Sequence, residues 1–184
     1  MKSLKRVLKR VLPFVIVLAL TGCLLSDDKV FPLDGGVKIP LKLGALVCAP
    51  FGEGRERDTG GSLDFTIELK QQGKKYQYIL IDGNPFETMV LSFHRVRGNT
   101  YIAASSQEGN KSGERIDIIN VTNSSLEFPE YRDEEVESFA RKHHVEFSSQ
   151  GSSISGKLND QKAFLRDLAS NGKTRNSLIC VPRP

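Results

Sequence analysis

Leu63-Asp64-Phe65-Thr66-Ile67-Glu68-Leu69-Lys70 places an apolar side chain at every odd position and a polar one at every even position. Successive side chains of a strand point to opposite faces, so this period of two describes a strand with one face buried and the other wet. Gln71-Gln72-Gly73-Lys74 follows, and then a second β-prone run, Lys75-Tyr76-Gln77-Tyr78-Ile79-Leu80-Ile81. Two strands joined so closely are antiparallel neighbours, because a parallel pair needs a crossover of about a dozen residues or more. The unit of this fold is therefore an antiparallel meander.

Working outward, the same pattern of strand and turn predicts strands at 43–49, 62–70, 75–82, 87–96, 100–106, 115–121 and 124–128, with Arg97-Gly98-Asn99 as another tight connection. The charged and glycine-rich clusters 52–61 and 107–114 separate them. After residue 128 the period changes. Asp133 is placed to cap a helix that runs to His143, with Glu134, Glu135 and Glu137 near its start and Arg141 and Lys142 at its end, as the helix dipole prefers. Val136, Phe139, Ala140 and His143 share one face of it. A second helix is expected from Asn159 or Asp160, burying Phe164, Leu165, Leu168 and Ala169 and stopping at Gly172. Val145-Glu146-Phe147 reads as a short strand between the helices, and 174–181 returns to the sheet. The expected class is α+β and β-rich: a curved antiparallel meander or barrel-like sheet with two C-terminal helices, one domain over residues 37–184.

Upstream of the domain the chain has a different character. Lys2, Lys5, Arg6, Lys9 and Arg10 precede an apolar run from Val11 to Leu20, which is too short to span a bilayer, and Leu20-Thr21-Gly22-Cys23 follows at once. This arrangement resembles a bacterial lipoprotein signal peptide. The resemblance implies that residues 1–22 are cleaved, that the Cys23 sulfur carries a diacylglyceryl group, and that the freed amine is acylated as well. Several acyl chains hold a protein stably at a membrane where one holds it marginally. Leu24 stands where an aspartate would mark inner-membrane retention, so the implied location is the outer membrane, facing the periplasm. Residues 23–36 are expected to form the lipidated N-terminus and a tether.

With Cys23 used by the lipid, Cys48 and Cys180 remain as an even pair in an oxidising compartment. Each sits in a β-prone run, Leu46-Val47-Cys48-Ala49-Pro50 and Leu178-Ile179-Cys180-Val181-Pro182, halted two residues later by a proline. The first and last strands of the domain are expected to lie together, joined by this disulfide.

Removal of the signal also changes the charge balance. The full chain carries 26 Lys and Arg against 22 Asp and Glu; without the five cations of the signal, 21 basic groups face 22 acidic ones. A nucleic-acid partner, which needs clustered cations, is not expected. Neither is a metal or other cofactor. His143 and His144 are adjacent and diverge on a helix, unlike the i,i+4 spacing of metal motifs, and the 52–61 loop lacks the Lys-Ser/Thr ending of a phosphate loop. The three helical glutamates face water rather than the unlike environments that split catalytic pKa values. A non-enzymatic envelope lipoprotein is expected, one that binds an envelope protein or supports an assembly. The alternatives are a small apolar-ligand binder, with Phe65, Tyr76, Tyr78, Phe93 and Tyr101 lining the interior, and an enzyme of another kind.

Overall fold

Seven consecutive strands each pair antiparallel with the next: β2 (Gly44–Gly52), β3 (Phe65–Gln72), β4 (Lys75–Leu80), β5 (Thr88–Arg97), β6 (Thr100–Gln107), β7 (Glu114–Val121) and β8 (Leu126–Tyr131). The chain then forms helix α1 (Asp133–Lys142), strands β9 (Glu146–Ser148) and β10 (Ser153–Ser155), and helix α2 (Leu158–Asn171). Strand β11 (Thr174–Pro182) finally enters between β8 and β2, which closes an eight-stranded antiparallel barrel. The computed structural model describes residues 23–52, 65–80, 88–107, 113–149 and 152–183. The signal at 1–22, the loop 53–61, the outer residues of the strands expected at 62–70, 75–82 and 87–96, and residues 108–112 lie outside the described residues.

Closure follows from the ends of the meander. Cys180 pairs directly with Cys48 in the β11–β2 ladder, and the two form a disulfide. Pro50 does not halt its strand, since β2 continues to Gly52, whereas β11 does end at Pro182. An antiparallel ladder uses the N–H of only alternate residues toward a given neighbour, so a proline can occupy a position that has no donor to give there. The two-residue turn at Gly73-Lys74 requires a positive φ, which Gly73 supplies at 65°.

Two apolar cores result. Leu46, Ile67, Leu69, Tyr76, Phe93, Ile119 and Leu178 fill the barrel. A second core lies outside it, where Ile102 and Ala104 of β6 and Ile116 and Ile118 of β7 meet Val136 and Ala140 of α1 and Phe164, Leu165 and Leu168 of α2. Strands β6 and β7 are thus covered on both faces, which is why residues 116–119 are all buried.

The helices differ from expectation at their ends. Asp133 is the first helical residue rather than the cap; Arg132 occupies the cap position, without a side-chain bond, so Asp133 acts through the dipole alone. Helix α2 begins at Leu158. Gly172 does follow it, yet with φ at −66° and not in the left-handed region. Space is what demands glycine there: a Cβ would lie 2.6 Å from the Leu168 carbonyl oxygen and 2.6 Å from Cε1 of Tyr131.

Residues 23–36, expected as a tether, pack on the body. Leu24–Ser26 form strand β1, antiparallel to β7 and parallel to β10. Val30 and Phe31 are 0% and 4% exposed. The apolar side chains of this segment find the outer core within reach, and their burial outweighs the freedom a tether would keep. The chain then passes under the barrel, where the Val37 N–H donates to the Phe93 carbonyl at 2.8 Å and the Ile39 N–H to the Tyr76 hydroxyl at 3.0 Å.

Candidate ligand cavity and anchor site

Among the described residues the barrel interior is packed at the end where residues 37–43 cross it and hollow toward the other. Tyr76 stacks edge-on against Phe93 with ring centroids 4.8 Å apart, and buried Tyr101 and Leu41 complete the packed half. Above them lies a cavity of about 60 Å³. Its walls are Phe65, Ile67 and Leu69 of β3, Met89, Leu91 and Phe93 of β5, Leu126 and Phe128 of β8, and Leu178 with the Cys48–Cys180 disulfide. Of the five aromatics expected to line an interior, Phe65 and Phe93 do so, while Tyr76 and Tyr101 belong to the packed core. The Tyr78 side chain lies outside what is described.

One wall is polar. Ser105 of β6 and Arg115 and Asp117 of β7 face the same cavity. Arg115 Nε donates to Asp117 Oδ2 at 3.1 Å, with the two side chains 24% and 11% exposed. Residues two apart on a strand share a face, which is what brings the pair together. The Ser105 hydroxyl donates to the Arg115 carbonyl at 3.3 Å.

This wall stands beside a break in the barrel. Strands β7 and β8 pair only at Asn120–Glu127 and Val121–Leu126, and Pro129 follows two residues beyond the last pair. On the edge of β7 that β8 leaves, β1 takes its place: Leu24 pairs with Ile116 and Ser26 with Glu114. Leu24 faces the outer core, and Cys23 stands just before this strand, near Arg115 and Asp117. Cys23 is 5% exposed. Burial raises its pKa far above the ordinary thiol value; the Asp117 carboxylate adds to that rise, and Arg115 opposes it.

Two buried polar side chains fasten β1. Gln161 of α2 is fully buried; its Oε1 accepts from the Ser26 hydroxyl at 2.9 Å, while its Nε2 donates to Asp28 Oδ2 at 3.0 Å and to the Gly156 carbonyl at 2.9 Å. Glu114 accepts from the Phe31 N–H at 3.0 Å. Burial pushes the Glu114 carboxyl up to about 7, against the lowering effect of the Phe31 and Val30 N–H groups and of Lys29 and Lys162.

The histidines do not come together. His94 packs on Phe31 and lies 2.9 Å from the Ser92 hydroxyl. His143 closes α1 and reaches Asp167 of α2 at 2.7 Å, tying the helices. His144 is exposed, with φ at 55°. Among the described residues no group of three His, Cys, Asp or Glu side chains is placed to hold a metal ion. Glu134 and Glu137 are exposed, and Glu135 accepts from the Lys173 N–H at 2.6 Å.

Arg115, Asp117, Glu114 and Gln161 were not legible as site residues. Arg115-Ile116-Asp117-Ile118 does alternate, but which face turns inward follows only from closure of the barrel. The molecule thus belongs to the class of small closed antiparallel barrels with a partly hollow, mainly apolar interior. Comparison with protein-family models, with curated proteins and with solved structures finds no match to the chain.

Proposed function

We propose that the mature protein is an envelope lipoprotein, anchored through lipid on Cys23 at the outer membrane and facing the periplasm, whose barrel takes a small, largely apolar ligand. The cavity carries this conclusion. An eight-stranded barrel is just wide enough either to be filled by its own side chains or to hold one small ligand. Among the described residues the filling stops halfway, and space of about 60 Å³ is left against mainly apolar walls. Ligand capture is therefore favoured over the support of an assembly, and no reaction is assigned. The Cys48–Cys180 bond supports an oxidising compartment. Cys23 is 5% exposed in this fold, so lipid on its sulfur requires Cys23 to leave this position.

Two measurements test the two halves of the proposal. Cells fed labelled palmitate should label the wild-type chain and not Cys23→Ser, and equal labelling would end the anchor assignment. Xenon or benzene should shift the methyl resonances of Leu69, Leu91 and Leu178 in the protein. Ala103→Leu, which adds bulk to the cavity wall, should suppress those shifts; wild-type methyls that do not respond would remove the ligand role.

A further inference from the structure

The docked N-terminal segment limits how far a lipid on Cys23 can lie from the fold. We infer that the lipidated protein rests on the bilayer surface through one face, the one where β1 leaves the fold beside the turn between β9 and β10. Residues 26–31 stay docked, and residues 23–25 alone lead to the anchor. This inference rests on lipid at Cys23 and adds the surface of the body that meets the membrane.

Release of Cys23 stops at Ser26 because the holds on the two sides of that residue differ. The Ser26 hydroxyl and the Asp28 carboxylate both bond the Gln161 amide, which is fully buried in α2. Undocking would withdraw both bonds from a buried polar group, and such a loss carries the full cost of desolvation. Val30 and Phe31 bury their side chains in the outer core, and Glu114 accepts from the Phe31 N–H. Ahead of Ser26 the holds are fewer. Leu25 is 42% exposed, and the buried side chain of Leu24 offers far less apolar surface than acyl chains do.

Length then decides the geometry. Three extended residues reach about 10 Å, whereas residues 23–36 would reach about 45 Å if all were free. A folded chain of this size has a radius of gyration of about 15 Å, so the short lead keeps one face against the lipid and the long one would let the body turn. The Leu25 N–H donates to the Ser152 carbonyl at 2.8 Å, which sets the β9–β10 turn beside the lead. Ser148 and Ser149 of that hairpin are exposed and suit a polar head-group layer. Leu25 is one of three large apolar side chains left exposed among the described residues, and the membrane surface covers it. Strand β3 stands across the barrel from β7, four strands away in either direction, and so faces away from the lipid.

The test uses the full chain, lipidated in cells and returned to phosphatidylcholine vesicles whose head groups carry a nitroxide quencher. The disulfide and the thioether leave no reactive thiol, so a cysteine added by substitution takes a bimane dye alone. Ser149→Cys sets the dye in the β9–β10 turn and Gln72→Cys sets it on β3, both at exposed positions. Dye at 149 should lose most of its fluorescence relative to vesicles without nitroxide, and dye at 72 should keep its own. Gln161→Leu, added to Ser149→Cys, frees the segment and should restore much of the fluorescence at 149. Circular dichroism establishes that each chain is folded, and Ser148→Cys replaces Ser149→Cys should the latter not fold. Equal loss at 149 and 72, loss at 72 alone, or loss at neither would overturn the face while palmitate labelling of the same protein upholds the anchor. Loss at 149 that Gln161→Leu leaves unchanged would overturn the role of the docked segment. A wild-type chain that takes no palmitate would overturn both the anchor and the face.

Discussion

Glu114 is a carboxyl whose fold works against its charge, and that sets a pH dependence. Its folded pKa of about 7 lies above the ordinary carboxyl value of 4.5, so between those limits the folded chain keeps a proton that the unfolded chain releases. Stability from this group is therefore complete below about pH 4.5 and is lost as pH rises to about 7. Glu114→Gln keeps an oxygen for the Phe31 N–H and removes the titration. The variant should match wild type near pH 5 and exceed it near pH 8 by about 1–3 kcal/mol, as read from urea midpoints at the two values. A wild-type midpoint that climbs from pH 5 to 8, relative to the variant, would refute the assignment. Gly172 offers a second check at this scale. Gly172→Ala would drive a Cβ into backbone at 2.6 Å, so it should destabilise the protein by about 1–3 kcal/mol, although the φ of −66° is one that alanine adopts freely.

Among the elements, β1 shows best why some structure was legible in the sequence and some was not. The paired strands announce themselves locally, since the alternation at 63–70 and the turn at Gly73 each act within a few residues. The two helices do so as well, through the apolar spacing of Val136 and Ala140 and of Phe164, Leu165 and Leu168. Nothing local marks Leu24–Ser26 as a strand, because its partners are β7 and β10, roughly 90 and 130 residues away along the chain. Gln161 was unreadable for the same reason. A lone glutamine among apolar helical positions is ordinarily surface, and only the docked segment gives its amide Ser26 and Asp28 to bond. Gln161→Leu should therefore leave the helix and barrel intact while freeing the segment. Amide exchange at residues 24–31 is expected to accelerate at least about tenfold, with exchange in β3 and β4 unchanged. Uniform acceleration throughout would mean that the segment and the barrel open as one unit.

For the molecule as a whole, the question is what keeps a barrel closed when its last strand arrives from the far side of two helices. Strand β11 carries ladders on both edges, to β2 and to β8, so hydrogen bonding alone can seat it. The disulfide does something different. It ties positions 132 residues apart, and in the chain-entropy model such a link restricts the unfolded ensemble by about 4–5 kcal/mol. The short apolar runs around Cys48 and Cys180 made this pairing legible, but not the closure, which also needs β6 to meet β7. Cys48→Ala with Cys180→Ala should thus lower Tm by about 10–15 °C while the folded state keeps its β-sheet signature in circular dichroism, because native contacts change little. If instead the variant loses its sheet signature at room temperature, the staple holds the barrel closed in the folded state, and the entropic account of it is wrong.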